Sequence, residues 1–438
     1  MPTRKRFLQG AAATIAATTY SPPALASDQP FDPGRWSSVR AQFGLDPRTM
    51  NFATFLLAPH PRPVRAAIER HARLLDRDAK RYLDQQEASN SAEQRVRAAA
   101  ARYLGVDADE IALTDSTTMG LALLYGGLRL PSGTEVLTTS HDFYSTHESL
   151  RLRALRTGAT VRKIRLYQEA RRVSVDEVVS AIRRAVTPET RALAVTWVHS
   201  STGVKLPIRA IADALRSVDG DRPPDERVLL CVDGVHGFGV ESATPADLGC
   251  DFLVSGCHKW LLGPRGTGVI WGRRDAWGSV TPTIPTFDNR AFPPWLADQA
   301  PPLSGIPDLP RAAAMTPGGF HSFEHRWALR EAFEFRRKIG RTRAAARTHE
   351  LTRRLKAGLA ETTRVRVGTP ESDDLSAGLV CFEVADRDPA EIVESLYERA
   401  RIVTSVTPYS VRYVRFGPSI LNTPREVDRA LRAIRQIA

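Results

Sequence analysis

The sequence predicts an α/β fold, with a mostly parallel central sheet in a large domain and a smaller α/β domain at the C-terminal end. At 438 residues the chain exceeds the length of one ordinary hydrophobic core, so two domains are expected. Continuous apolar runs, which are typical of buried parallel strands, occur at residues 192–198, 228–232 and 252–254. Segments with helical patterns lie between these runs. The alternation predicts that the large domain spans residues 61–320.

The segments that precede the sheet are predicted to be an arm and a helical region. Residues 27–60 are expected to form an irregular arm that joins the small domain, with a short extended piece at residues 50–53. Pro63 to Tyr103 has helical character, with a break near Asn90-Ser91.

A proline-rich stretch and a small domain complete the chain. Residues 281–310 carry eight prolines, so no regular element is expected to run through this stretch. Because long loops in compact domains are usually functional or disordered, we interpret this stretch as a lid or a wall of a substrate site, the alternative being a plain connector. Residues 321–438 are predicted to form the small domain, with a helix over 341–361, strands over 378–384 and 410–415, and proline-initiated helices after Asp388 and Thr423.

Composition, charge and cysteine usage restrict the classes of function. The chain has 42% hydrophobic and 25% charged residues, which are the proportions of a globular protein. Its formal net charge is +12, mostly from arginines spread along the chain, which favours a solvated surface over nucleic-acid binding. We therefore expect no nucleic-acid partner. The four cysteines match no zinc-site spacing, so no metal is expected, and their pairing stays open at this stage: Cys231, Cys250, Cys257 and Cys381.

The first 26 residues are typical of an export signal. Arg4-Lys5-Arg6 gives a basic start, residues 8–19 form an alanine-rich apolar stretch too short to span a membrane, and Ala24-Leu25-Ala26 offers a cleavage site. The basic start resembles the twin-arginine motif, with Lys5 in place of the second arginine. The sequence thus predicts export of the folded protein to the periplasm by the twin-arginine machinery and no stable membrane anchor.

Lys259 is the most informative residue of the chain. It is one of only seven lysines, and it stands in an apolar strand-to-turn segment, Val254-Ser255-Gly256-Cys257-His258-Lys259-Trp260. Burial lowers the pKa of an ammonium group, which suits a lysine that forms a Schiff base. Asp233 follows the apolar run at 228–232. A Schiff-base lysine and a strand-end carboxylate are the pair that pyridoxal 5'-phosphate (PLP) requires, because the carboxylate keeps the pyridine nitrogen protonated.

Polar clusters occur where several predicted strands end. The first, at residues 114–120, opens a helix, and a helix N-terminus can bind a phosphate through its backbone amides. Further clusters lie at residues 140–144, 199–203 and 233–236 and at Lys259. Ligands of parallel sheets bind at the carboxyl ends of the strands, so five clusters in this order predict a single ligand site.

The motifs around Lys259 and Asp233 carry a family resemblance. Gly256-Cys257-His258-Lys259-Trp260 followed by Gly263-Pro264-Arg265-Gly266, and Asp233-Gly234-Val235-His236, are similar to motifs of class V aminotransferases, which have PLP fold type I. Within that family the chain resembles the isopenicillin N epimerase-like branch, over about residues 48–438. The resemblance implies PLP as the cofactor and a homodimer whose active sites are shared between subunits.

The resemblance also implies roles for individual residues. Lys259 would form the Schiff base and transfer protons, Asp233 would pair with the pyridine nitrogen, and His236 would lie near the 3-hydroxyl group of the cofactor. Arg415 would bind the substrate carboxylate through its guanidinium fork, and Asn51 is also expected at the substrate.

Further positions are assigned to the phosphate and to the faces of the ring. The phosphate is expected to be bound by Ser116, Thr117, Thr118 and His258. Ser200 stands where relatives carry an asparagine near the ring oxygen. His321 or Ser322 stands where relatives carry a threonine that reaches a neighbouring subunit's phosphate site. The residue that stacks on the ring is expected to be Phe143, with His141 and Tyr144 as alternatives.

The resemblance leaves the reaction class open. We expect a substrate that is an amino acid or carries a peptide-bound amino group, and the reaction is transamination, epimerisation, a lyase reaction or oxidative chemistry. With its export signal and this fold, the chain resembles the exported enzymes that mature the peptide siderophore pyoverdine. This resemblance favours transaminase-type or oxidative modification of such a peptide. Isopenicillin N epimerase-like epimerisation or C–S lysis is the alternative. Cysteine desulfurases need a mobile cysteine, whereas Cys381 lies in an apolar strand. A non-catalytic binding protein is disfavoured because Lys259 and Asp233 are both present.

Overall fold

The computed structural model describes residues 30–88, 91–220, 222–298, 306 and 308–438. The predicted export signal at residues 1–26 and the first residues of the predicted arm lie outside them. The described chain begins with helix α1 (Trp36–Arg40) and strand β1 (Met50–Asn51), and the latter confirms the extended piece predicted at residues 50–53.

Three helices follow the arm: α2 (Arg62–Arg77), α3 (Ala79–Glu87) and α4 (Ala92–Leu104). The break predicted near Asn90-Ser91 is confirmed at Ser91, whose hydroxyl accepts a hydrogen bond from the backbone N–H of Gln94 in a capping box. The structure adds a second break at Asp78. The Asp78 carboxylate accepts a hydrogen bond from the N–H of Arg81 and so caps the start of α3.

A seven-stranded sheet forms the centre of the structure. Its strands and intervening helices are, in chain order, β2 (Ile111–Thr114), α5 (Thr117–Gly127), β3 (Glu135–Thr139), α6 (Tyr144–Thr157), β4 (Thr160–Ile164), α7 (Val175–Ala185), β5 (Thr190–Thr196), α8 (Ile208–Asp219), β6 (Leu229–Asp233), α9 (Pro245–Leu248), β7 (Phe252–Gly256) and β8 (Gly268–Gly272). The strand order is β2-β8-β7-β6-β5-β3-β4. In this sheet β8 alone runs against its neighbours, because the short stretch between β7 and β8 reverses the chain. The sheet is therefore mostly parallel, as predicted.

Both faces of the sheet are buried. Successive residues of β6 contribute to two separate hydrophobic clusters, with Leu230 and Val232 in one and Cys231 in the other. This explains why β5, β6 and β7 are continuous apolar runs, and the predicted runs match these strands to within two residues. Because β5, β6 and β7 are parallel, their carboxyl ends lie at one edge of the sheet, where the polar clusters follow.

The proline-rich stretch contains more regular structure than the sequence predicts. Residues 281–310 include a 3₁₀ turn (Asn289–Ala291) and the short helix α10 (Phe292–Leu296), which the interpretation as a loop did not include, but neither element runs through the described part of the stretch. Pro293 and Pro294 lie in the first turn of α10, where backbone N–H groups have no partner within the helix and a missing N–H is tolerated. Residues 299–305 and 307 of this stretch lie outside the described residues.

The C-terminal part is a second α/β unit. Helices α11 (Arg311–Ala314) and α12 (Phe323–Ile339) precede this unit and pack on the large one, α11 against β2 and α12 against α2 and α4. The elements of the second unit are α13 (Arg341–Ala360), β9 (Val365–Val367), β10 (Val380–Val384), α14 (Pro389–Ala400), β11 (Ile402–Val403), β12 (Ser405–Val406), β13 (Val414–Phe416) and α15 (Pro424–Ile437). A four-stranded antiparallel sheet has the order β12-β13-β10-β9, and β1 of the arm pairs with β11 in parallel. Across the described ranges, no helix has the length and apolar character needed to cross a membrane.

The strand predicted over residues 410–415 is wrong in its extent, since β13 begins only at Val414. The preceding residues form the loop of a β12–β13 hairpin. The Thr407 hydroxyl closes this loop, because it accepts a hydrogen bond from the N–H of Tyr413 at 2.9 Å and donates one to the carbonyl of Val411 at 3.3 Å. Val411 and Tyr413 alternate with polar residues as in a strand, but these hydrogen bonds hold them in the loop.

Candidate active site

Asp233 and Lys259 follow adjacent parallel strands and lie at the same edge of the sheet. Asp233 ends β6 and pairs with Val254 of β7, and Lys259 follows the end of β7. Asp233 is 1% exposed, and its Oδ1 accepts a hydrogen bond from the backbone N–H of Val235 at 3.0 Å. Its other carboxylate oxygen makes no hydrogen bond to any described residue.

Burial changes the ionisation of both side chains. It raises the pKa of Asp233 to about 7, with Lys259 acting in the opposite direction, and it lowers the pKa of Lys259 to about 8, opposed by Asp233. An amine with this pKa is partly unprotonated near neutral pH. The unprotonated amine is the form that attacks an aldehyde carbon, as a cofactor-binding lysine must.

His236 is held as a neutral hydrogen-bond donor. Its Nδ1 accepts a hydrogen bond from the indole N–H of Trp260 at 3.2 Å, which leaves the imidazole proton on Nε2. Burial, reinforced by the charges of Lys259 and Arg415, holds the pKa of His236 well below its usual value. The side chain can therefore donate one hydrogen bond from Nε2 to an oxygen in the site.

The start of α5 provides an anion-binding turn. Ser116 is the N-cap residue, and its hydroxyl accepts a hydrogen bond from the N–H of Met119 at 3.1 Å. The Thr117 hydroxyl accepts one from the N–H of Gly256 at 2.7 Å, so both hydroxyls keep a hydrogen to donate. Thr118 is exposed in the same turn. The helix N-terminus adds free backbone amides, which favours a phosphate at this point.

Gly256 allows the residues around this turn to meet. A Cβ at this position would lie 2.9 Å from Cε1 of His258 and 3.1 Å from Oγ1 of Thr117, so a larger residue would displace one of them. The Nδ1 of His258 is buried and has no hydrogen-bond partner among the described residues. A buried nitrogen without a partner next to a helix N-terminus is available to a ligand group, which fits a phosphate at this point.

The structure distinguishes the three aromatic candidates for the ring face. His141 is stacked on Tyr167 with ring centroids 3.9 Å apart, and its Nε2 accepts the N–H of Leu166 at 3.3 Å, so it is already packed within the protein. Tyr144 is 70% exposed at the start of α6. Phe143 is 37% exposed and contacts Tyr409 with an edge-to-face geometry at 6.0 Å. This arrangement favours Phe143, which has both an open surface and a supporting contact.

Asp142 supports this edge of the sheet and was missed by the sequence analysis. Its carboxylate accepts hydrogen bonds from the N–H of Thr139 and the hydroxyl of Thr138 at the end of β3, and from the N–H of Thr196 at the end of β5. The residue thereby ties together the two strand ends from which Phe143 and Ser200 emerge. The available signal was an acidic residue three positions after Thr138-Thr139, at the end of an apolar strand.

Arg415 is a buried guanidinium without an acidic partner. It lies on β13 and is 3% exposed, and burial lowers its pKa. Nη1 donates to the carbonyl of Ser200 at 3.0 Å, Nε donates to Oγ of Ser405 at 3.3 Å, and the group lies 4.6 Å from the ring centroid of Phe55. None of the described acidic residues forms an ion pair with it. The guanidinium can therefore take an anion from outside the protein. Phe55 carried no sequence signal.

Asn51 and Ser322 have side-chain surroundings that are described by local contacts only. The Asn51 side-chain oxygen accepts the N–H of Ala53 at 2.8 Å, and the residue borders a cavity of about 280 Å³ that also reaches Arg265. Ser322 is exposed at the start of α12, where it makes no side-chain capping hydrogen bond. No hydrogen bond between described residues joins either side chain to Lys259, Asp233 or Arg415, so their expected roles at the substrate and at a neighbouring subunit's phosphate site stay predictions.

The residues at the sheet edge fit PLP. The first turn of α5 and His258 would hold the phosphate, Asp233 would hold a protonated pyridine nitrogen, and Nε2 of His236 would donate to the 3-hydroxyl group. Lys259 would bind the aldehyde carbon, and Phe143 would lie against the ring. Ser200, Tyr409 and Arg415 remain to contact a substrate. In the described ranges no group of acidic, histidine or cysteine side chains could hold a metal ion.

Comparison with known proteins agrees with PLP as the cofactor. Residues 58–429 match the family model described as aminotransferase class-V. The chain is 27% identical over 408 residues to isopenicillin N epimerase of Streptomyces clavuligerus, which covers 91% of this chain and 97% of that protein. It is 26% identical over 407 residues to isopenicillin N epimerase of Amycolatopsis lactamdurans, with 92% and 98% covered.

Solved structures confirm the fold. A mutant of C-DES with glycine covalently linked to its PLP cofactor superposes with a TM-score of 0.76 at 21% identity, covering 90% of this chain and 98% of that one. The cysteine desulfurase CsdA from Escherichia coli gives a TM-score of 0.73 at 20% identity, covering 93% and 98%. The architecture is that of the fold type I PLP-dependent enzymes, with the mostly parallel sheet that the sequence predicts.

Proposed function

Because the chain belongs to the aminotransferase class-V family and is a PLP-dependent enzyme, we propose that it acts on the amino group or α-carbon of an amino acid whose α-carboxylate is free. The amino acid is either free or attached to a peptide. The observation that carries this proposal is Arg415, a buried guanidinium with no acidic partner in the described chain. It lies close enough to Lys259 and His236 to influence the pKa of both.

Each residue has a defined task in this proposal. Arg415 binds the carboxylate, and Lys259 binds the cofactor and then removes or returns a proton at the substrate. The positive charge of a protonated pyridine nitrogen would favour the ionised form of Asp233, and His236 donates from Nε2. When bound, PLP accepts the electron pair that a breaking bond at the α-carbon releases. Which bond breaks depends on how the guanidinium and the walls of the site orient the substrate.

We further propose that the substrate is a peptide siderophore such as pyoverdine, tailored in the periplasm by transaminase-type or oxidative chemistry. Support comes from the export-type residues 1–26 and from the resemblance to the exported pyoverdine-maturation enzyme PvdN. Export by the twin-arginine machinery and a homodimer with shared active sites belong to the same proposal. Cell fractionation with N-terminal sequencing tests the export, since full-length protein confined to the cytoplasm contradicts it, and light scattering tests the dimer.

Amino-acid epimerisation or C–S lysis is the second candidate. It is supported by the similarity to two proteins named isopenicillin N epimerase, which extends over nearly their full length. Cysteine desulfuration is disfavoured although relatives carry that name, because all four cysteines are buried and unpaired. Cys381 lies in the interior strand β10, where burial raises the pKa of its thiol to about 12.

A spectral assay separates these reactions. The purified mature protein with PLP is mixed with a panel of amino acids and with siderophore-type peptides, and the visible band of the cofactor is followed. A stable loss of the band with release of a keto acid identifies a transaminase. A transient change with solvent deuterium in the recovered amino acid identifies an epimerase, released fragments identify a lyase, and oxygen consumption identifies oxidative chemistry. A protein that binds PLP and responds to no amine would be a non-catalytic binding protein.

A further inference from the structure

Tyr409 is the one aromatic residue that the β12–β13 hairpin loop brings against the candidate site. Its loop neighbours Pro408, Ser410 and Val411 are exposed, whereas Tyr409 is half-buried and points inward. The hydrogen bonds of Thr407 brace this loop and hold its shape. The loop thus delivers a phenol from the C-terminal unit to the edge of the seven-stranded sheet.

The Tyr409 phenol makes two contacts with the site. Its hydroxyl lies 2.6 Å from Oγ of Ser200, and its ring packs against Phe143 at 6.0 Å. Burial raises the pKa of Tyr409 to about 12, so the hydroxyl is neutral and able to donate at physiological pH. Tyr409 therefore orients the hydroxyl of Ser200.

Ser200 connects this contact to Arg415. The carbonyl of Ser200 accepts a hydrogen bond from Nη1 of Arg415 at 3.0 Å, while Ser405 accepts one from Nε. These two bonds restrain the guanidinium on one side. The hydrogens on Nη2 and the second hydrogen on Nη1 have no partner among the described residues, and they form the end of the group that can take both oxygens of a carboxylate.

We propose that Tyr409 is a positioning residue for carboxylate recognition: it holds Ser200, and Ser200 holds the Arg415 guanidinium with its open end toward the substrate. This inference rests on the proposed function, in which Arg415 binds the substrate carboxylate. It adds that the preference of the enzyme for a carboxylate-bearing amine depends on a residue in a hairpin loop. The same phenol contacts Phe143, so the substrate anchor and the expected wall of the cofactor ring share one support.

The test uses the mature protein, which lacks the predicted export signal, loaded with PLP, and propionate serves as a carboxylate probe. Propionate is titrated while the visible spectrum of the cofactor is followed, with 1-propanol as the uncharged control, and the Kd is compared among variants. Tyr409→Phe should weaken propionate about five- to tenfold, the effect of about one neutral hydrogen bond, while PLP affinity stays within about twofold. Tyr413→Phe is the matched control, because Tyr413 lies in the same loop and its hydroxyl makes no hydrogen bond to a described residue.

A double-mutant cycle separates positioning from general damage. Ser200→Ala removes the hydroxyl that Tyr409 contacts but keeps the carbonyl that Arg415 contacts. Ser200→Ala should match Tyr409→Phe, and the double variant should be no weaker than either single variant, because both remove the same hydrogen bond. Additive losses, or a loss in Tyr409→Phe no larger than in Tyr413→Phe, would overturn the inference.

Arg415→Ala distinguishes this inference from the proposed function. If Arg415→Ala leaves the Kd of propionate unchanged, or the unmodified enzyme does not bind propionate, the carboxylate site itself is wrong and both proposals fail. If Arg415→Ala weakens propionate and Tyr409→Phe does not, the carboxylate site stands and only the role of Tyr409 is overturned.

Discussion

Replacing Asp142 with alanine should lower the free energy of unfolding by about 3–9 kcal/mol. The Asp142 carboxylate accepts three hydrogen bonds, from the backbone N–H groups of Thr139 and Thr196 at 2.7 Å each and from the Thr138 hydroxyl at 2.9 Å. Asp142 is 3% exposed, so bulk water does not replace the carboxylate. Leaving a buried donor unpaired costs about 1–3 kcal/mol, and three such donors amount to a large share of the about 5–15 kcal/mol by which a domain is stable.

The variant should also lose affinity for PLP, because Asp142 fixes the strand ends that lead to Phe143 and Ser200. Urea unfolding of the apoenzyme measures the stability, and equilibrium titration with PLP measures the affinity. Thr138→Val is the matched control, since it removes one donor and leaves both backbone hydrogen bonds; it should cost about 1 kcal/mol. An Asp142→Ala protein that is no less stable than Thr138→Val would refute the reasoning.

Three further predictions concern the cofactor site. Lys259→Ala should fold and bind PLP reversibly, but borohydride should not fix the cofactor to the protein; a covalent adduct in the mass spectrum would contradict the assignment of Lys259. In the unmodified apoenzyme, the rate of PLP capture should rise as the pH increases through the Lys259 pKa of about 8, because the ammonium form below it has no free electron pair; stopped-flow absorbance measures this, and a rate independent of pH would count against it. Gly256→Ala should weaken PLP about tenfold or more by displacing His258, while Gly278→Ala, where an added Cβ meets nothing within 4 Å, should leave the affinity unchanged.

The sequence was sufficient to predict site residues whose positions depend only on where strands end. Lys259 and Asp233 follow apolar strands, and because adjacent parallel strands end at one edge, their meeting was predictable. The contact between Ser200 and Tyr409 was not, because it joins residues 209 positions apart through a hairpin loop whose course depends on the hydrogen bonds of Thr407. The short helix α10 in the proline-rich stretch was missed for another reason. Proline is excluded from the interior of a helix but not from its first turn, and the sequence does not show at which residue a helix begins.

The parallel pair of β1 and β11 has a consequence for how the enzyme is made. Met50 pairs with Ile402, so the arm stays without its partner strand until the ribosome has nearly finished the chain. Phe55, shortly after β1, packs on the guanidinium of Arg415, which is synthesised later still. A chain interrupted between residues 260 and 401 contains Lys259 but neither Arg415 nor the strand that pairs with the arm. The proposed carboxylate site therefore forms only after synthesis has passed residue 415, much later than the residues that are expected to hold the cofactor.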